Sequence, residues 1–147
     1  PIKYDDWSWH WEGDFPEDLL EDKAFNHVAM FLGWAIDSDL ATEQFASKEP
    51  CAKKIEQFGK REIKATEVSD FCYDGKLLNT DLNEEGNAFA KEYYNGSDNP
   101  YFKDIEELFK DSPVSSFYQL EDSWENYEKV KTMLDKRFAE WIERQKK

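Results

Sequence analysis

The chain has 147 residues, a length that suits one domain, with a formal net charge of -14, 35% charged residues and 16% aromatic residues. Charge of this sign repels phosphate backbones and anionic lipid surfaces, so direct nucleic-acid and membrane binding are disfavoured and a basic protein partner is favoured. The rings argue against disorder, and no apolar run approaches the ~18 residues that a membrane span requires.

Residues 1–22 combine Trp7, Trp9, Trp11 and Phe15 with a dense set of carboxylates. The indoles alternate with period two, the pattern of a half-buried strand or an extended arm. Gly13 and Pro16 end the alternation. The segment reads as an extended aromatic arm laid on a helical body at 23–147, the two making a single domain. Its acids Asp5, Asp6, Glu12, Asp14, Glu17 and Asp18 are the candidate contacts for a basic partner. The opening PIKYDDW contains no basic stretch followed by an apolar one.

Asp22 is placed to cap a helix over about 23–38. Phe25, Val28, Ala29, Leu32, Ala35 and Ile36 share one face, and Met30, Phe31 and Trp34 extend the apolar surface around it. A helix apolar on most sides is a central one. Thr42 to Ser47 reads as a short helix, and Pro50 opens another with Ala52, Ile55 and Phe58 inward and Gly59 near its end. Lys48, Lys53, Lys54, Lys60, Arg61 and Lys64 make this stretch locally basic.

Thr66 is positioned to cap a short helix through Tyr73 that Gly75 stops. Residues 76–80 suit an extended segment, which leaves room for a minor β element there or near the N-terminus. Asp81 or Asn83 opens a helix to about Tyr94, with Phe89, Ala90, Tyr93 and Tyr94 inward. Gly96 to Pro100 is a loop, and a helix from about Pro100 to Lys110 follows. In the last helix Trp124, Tyr127, Val130, Leu134, Phe138 and Trp141 recur at spacings of three and four, behind an Asp122/Glu125 capping box. The fold class expected is mainly α.

Cys51 and Cys72 have no zinc or redox spacing. A disulfide between them is permitted but not required, and reduced cysteines in a cytoplasmic protein are the default expectation. No phosphate loop, nucleophile elbow or zinc-protease helix occurs, so no catalytic residue is assigned. The carboxylates are too many for spacing alone to single out a glycosidase pair. Imidazole plus carboxylate is a chemically sensible metal set, and His10, Asp14 and His27 are the alternative reading as a metal-binding module or metal-dependent enzyme. The more frequent role of a histidine beside aromatics is a packed, hydrogen-bonded one. No cofactor is expected.

Several strings carry a resemblance. They are Tyr4-Asp5-Asp6 with Trp9-His10 and Gly13-Asp14-Phe15-Pro16, then Ala24, His27, Met30-Phe31-Leu32 and Trp34. Asp81-Leu82, Glu85-Gly86-Asn87-Ala88-Phe89, Tyr93-Tyr94, Asp122-Ser123-Trp124-Glu125-Asn126-Tyr127, Arg137-Phe138-Ala139 and Trp141 continue it. Together they look like a bacterial domain family of unknown function, over nearly the whole chain, with Trp11 a departure from its pattern. Small acidic proteins of this kind are often encoded beside polymorphic toxins. The resemblance therefore implies an immunity protein that binds and neutralises a toxin domain, for instance a nuclease.

Overall fold

A computed structural model of the chain describes residues 2–6, 26–95, 98–110 and 123–146. Among these residues the architecture is mainly α with one small antiparallel sheet. Strand β1 is Lys3–Asp6 and β2 is Lys76–Leu78. The helices are α1 (Asn26–Asp37), α2 (Cys51–Gly59), α3 (Ala65–Cys72), α4 (Glu84–Tyr93), α5 (Pro100–Leu108) and α6 (Trp124–Gln145). None is long and apolar enough to cross a membrane.

Helix α1 is the centre, as its composition predicts. Every residue from Asn26 to Ala35 is buried, because α3 and α6 pack along it and β2 touches it. Rings from α1 itself, from the residue after α4 and from α5 converge on Phe31. Tyr94 and Tyr101 meet it edge-on at 4.9 and 5.3 Å between centroids, and Trp34 lies at 5.5 Å. Edge-to-face pairs of this kind add about 0.5–1.5 kcal/mol each beyond area burial. The Trp34 indole is sunk in this cluster and still finds an acceptor, donating Nε1–H to Asp135 at 2.9 Å.

Gly33 explains how closely the helices approach. A Cβ built there would lie 2.9 Å from Phe58 of α2, 3.0 Å from Ala65 of α3 and 3.1 Å from Tyr127 of α6. Three helices press on α1 at the one position where a side chain is missing.

The minor β element draws on both segments expected for it, because they pair with each other. Lys3 faces Leu78, Asp5 faces Leu77 and Asp6 faces Lys76, with an irregularity between Lys3 and Asp5. A turn of 3-10 helix at Asn79–Asp81 follows β2. Asn87 of α4 fastens this corner: its amide donates to the carbonyls of Asn79 and Leu82, and its Oδ1 accepts from the Tyr4 hydroxyl at 2.7 Å.

Several boundaries differ from the expected ones. Thr42 to Ser47 is a run of turns, not a helix: Ala46 N–H bonds the Glu43 carbonyl and Lys48 N–H the Phe45 carbonyl, both three residues back. Ala41 is drawn into a bridge with Leu82, and the Thr42 N–H and hydroxyl are both spent on the 80–81 backbone. Helix α3 starts behind Lys64 without a side-chain cap, so Thr66 lies inside it. Asn83 does cap α4, accepting from Gly86 N–H at 2.8 Å. Helix α6 is capped by Ser123, which accepts from Asn126 N–H at 3.1 Å, one residue later than the expected box. Asp122 and the indoles Trp7, Trp9 and Trp11 lie outside the described residues.

The cysteine expectation is overturned. Cys51, at the start of α2, and Cys72, at the end of α3, form a disulfide with Cα atoms 5.9 Å apart. The two helices pack side by side, which brings together ends 21 residues apart in sequence.

Candidate functional site

His27 and Asp5 are the expected site residues that the structure places in one spot. That spot is interior. The His27 side chain is 0% exposed and Asp5 is 2% exposed. His27 Nε2 lies 3.2 Å from Asp5 Oδ2, and a carboxylate can only accept, so the ring is the donor. The Tyr94 hydroxyl donates to the same Asp5 oxygen, and the Asp6 backbone N–H donates to Asp5 Oδ1 at 2.8 Å. Tyr101 closes the group by donating its hydroxyl to the His27 carbonyl at 2.7 Å. Burial and the Asp5 charge hold both tyrosine hydroxyls well above their ordinary range, so they stay protonated donors.

A His, an Asp and a Tyr in line resemble an acid–base relay, but a relay needs a reactant within reach. This one is enclosed by Phe31, Phe102 and the tyrosine rings, and its bonds tie β1 to α1 and to the residues after α4. Its effect is to fasten the N-terminal strand to the core. Asp6 is also inside, 3% exposed, and accepts from Lys3 Nζ at 2.9 Å. Asp5 and Asp6 therefore do not present a contact face to a partner, contrary to the sequence expectation: each is turned inward onto donors of the fold. Glu12, Asp14, Glu17 and Asp18 lie outside the described residues, as does His10.

The metal set consequently has one described member, His27, whose Nε2 is directed at Asp5. Among the described residues no group of three or more His, Cys, Asp or Glu side chains is arranged to hold a metal ion.

Half of the six cations in the locally basic stretch are paired within the fold. Lys54 pairs with Glu67 at 3.0 Å, Lys60 with Glu56 at 2.9 Å, and Arg61 with Asp37 at 2.8 Å. Arg61 also lies against the rings of Phe58, Trp124 and Tyr127, while the Tyr127 hydroxyl donates to Asp37 at 2.6 Å. Here cation, anion and rings lock α2 to α1 and α6.

Among the described residues, two open depressions stand out. One, of about 380 Å³, lies between α4, α5 and α6. Its central charges are spent on one another: Arg137 donates to Asp104 from Nε and Nη2 and to Glu140 from Nη1, and Tyr93 donates to Asp104 at 2.6 Å. The second is a groove of about 640 Å³ that sequence reasoning missed, since it is assembled from α1, the 39–46 turns, α2, Tyr73 and Asn83. Ile36, Ala41, Ala46, Ile55 and Tyr73 give it apolar lining, and the exposed carboxylates of Asp39 and Glu43 stand at it. Tyr73 is 6% exposed, its ring packs edge-on against Phe45, and its buried hydroxyl has no hydrogen-bond partner among the described residues. Next to this corner is Asp81, which accepts from Leu78 N–H at 2.8 Å and from the Gln44 amide at 2.7 Å. Burial pushes its carboxyl up to about 6, against the lowering effect of those two donors.

The signature of a family described as a domain of unknown function (DUF7832) matches residues 3–120. The chain belongs to that family. The match runs from β1 through α5, so this DUF7832 domain contains the strand–helix fastening at Asp5 and His27 and the whole groove. No curated protein and no solved structure matches the chain.

Proposed function

We propose that this domain binds a basic protein partner and acts as an immunity protein, neutralising a cognate bacterial toxin domain such as a nuclease. The observation that carries the reading is the net charge of -14 together with where the described acids stand. Asp39, Glu43, Glu62, Asp70, Glu84, Glu85 and Glu106 are exposed, and they are spread from the end of α1 to α5. A field of one sign steers an oppositely charged partner and lifts association rates toward ~10⁸–10⁹ M⁻¹s⁻¹ at low salt. The cleft of a nuclease, built to attract phosphate, has the complementary sign.

Glu12, Asp14, Glu17 and Asp18 stay in this reading as contact candidates, and Asp5 and Asp6 leave it. The Cys51–Cys72 disulfide favours action in an oxidising compartment over the cytoplasm first expected.

The test is co-expression with the product of the adjacent gene. Protection of the host, and a complex whose association slows as salt rises, are the expected results. No toxicity from the neighbouring product, or toxicity that this domain leaves untouched, would sink the reading.

A further inference from the structure

The groove between α1 and the 39–46 turns has a chemistry that the charge reading alone does not supply. It is apolar along Ile36, Ala41, Ala46 and Ile55, yet two carboxylates, Asp39 and Glu43, stand at it in the open. An apolar surface bounded by charge of one sign is matched by a segment with an apolar side chain next to a lysine or arginine.

Its walls are fixed before anything enters. Ile55 and Tyr73 sit on elements joined by the Cys51–Cys72 bridge, and Tyr73 directly follows one half-cystine. The Asp39 backbone is held in the left-handed region at φ 59°, where its carbonyl accepts from the Asn83 amide at 2.9 Å. Thr42 is tied to residues 80 and 81 by its N–H and its hydroxyl. A wall that is already ordered costs little conformational entropy on binding.

We propose that this groove is the docking site for a basic, apolar-anchored segment of the protein partner. The apolar anchor enters between Ile36 and Ile55, and its flanking lysine or arginine faces Asp39 and Glu43. The inference rests on the partner-binding reading above and assigns its contact face.

The test uses the full chain, isotope-labelled, titrated in NMR with a short synthetic peptide of alternating leucine and lysine, and separately with its leucine–glutamate counterpart. Amide shifts are expected to gather on Ala41, Thr42, Glu43, Ala46 and Tyr73 with the lysine peptide and to be absent with the glutamate one. Glu43→Lys is expected to weaken binding about tenfold, the equivalent of ~1.4 kcal/mol. Glu143→Lys, the same charge change outside the groove, is expected to change it by about twofold or less, as distant surface charges are screened. Ala46→Trp, which fills the groove without altering charge, is expected to abolish the clustered shifts. The spectra themselves report whether each variant is folded.

Shifts that map to another face, no shift with the lysine peptide, or equal losses from Glu43→Lys and Glu143→Lys would each overturn the assignment. The co-expression assay separates the two levels. If wild type protects and Ala46→Trp protects equally, the groove assignment fails and the immunity reading stands. If wild type does not protect, the immunity reading fails, and the peptide titration alone judges the groove.

Discussion

Asp5 of the first strand and His27 of the central helix meet at 3.2 Å inside the core, 22 residues apart in sequence, with the Tyr94 hydroxyl bonded to the same carboxylate oxygen. Removing the Asp5 carboxylate takes the acceptor from three buried donors, the His27 ring, the Tyr94 hydroxyl and the Asp6 N–H. Asp5→Ala should therefore lower unfolding free energy by about 2–4 kcal/mol, and Tyr94→Phe by about 1–2 kcal/mol. The double variant should lose less than the sum, since both changes break one bond. Urea denaturation of the four proteins measures this. Strict additivity would show that the two residues are not coupled.

The disulfide between Cys51 and Cys72 closes a loop of 21 residues in the unfolded chain. By loop-closure entropy it contributes about 3 kcal/mol. Cys51→Ser with Cys72→Ser should lower the denaturation midpoint accordingly, and reductant should do the same to wild type but not to the variant. An unmoved midpoint in reductant would mean the bridge contributes nothing.

Asp81 sets a pH dependence of a sign opposite to the usual carboxylate. Its folded-state pKa is pushed up to about 6 from 3.8, because burial penalises the charged form more than Leu78 N–H and Gln44 support it. Between those values the folded state keeps a proton that the unfolded state has released. Its contribution is thus fully present below pH 3.8 and declines as pH rises through about 6. The change amounts to about 3 kcal/mol at ~1.4 kcal/mol per unit. Asp81→Asn should flatten this part of the stability–pH curve, followed by thermal melts across it. A curve parallel to wild type would refute the assignment.

Gly86 lies in the first turn of α4 with no room for a methyl group. A Cβ there would stand 2.7 Å from the Leu40 carbonyl oxygen and 3.2 Å from Leu40 Cβ. The obstacle is backbone, so it cannot swing aside. Gly86→Ala should cost about 1–3 kcal/mol net, with overpacking exceeding the ~1 kcal/mol that alanine gains in a helix. Amide shifts at Leu40, Ala41 and Thr42 should accompany the loss. A more stable variant would contradict the close approach.

Much of this was legible from local pattern. The spacing of Tyr127, Val130, Leu134 and Trp141 placed α6, and all four are buried. The apolar breadth of residues 26–37 marked α1 as central, and 76–80 and the N-terminus were the right places for strands. The structure adds what depends on long-range meetings. Asp5 and Asp6 look like surface acids until a tyrosine 89 residues away and the His27 ring give Asp5 buried donors. Arg61 looks like part of a free basic block until Asp37 and three rings surround it. Thr42 to Ser47 has helical composition, but bonds to residues 80–82 hold its start extended. The groove has no signature in sequence because no single element builds it.

The crowding at Gly33 has a consequence for how such chains can diverge. Positions 33, 58, 65 and 127 share one small volume, supplied by four helices. A larger residue at 33 needs a smaller one at 58 or 127 at the same time, since the mean density of a protein interior leaves no slack to absorb a methyl group. These four positions should therefore drift as a set across related sequences, one residue's growth recorded as another's shrinkage.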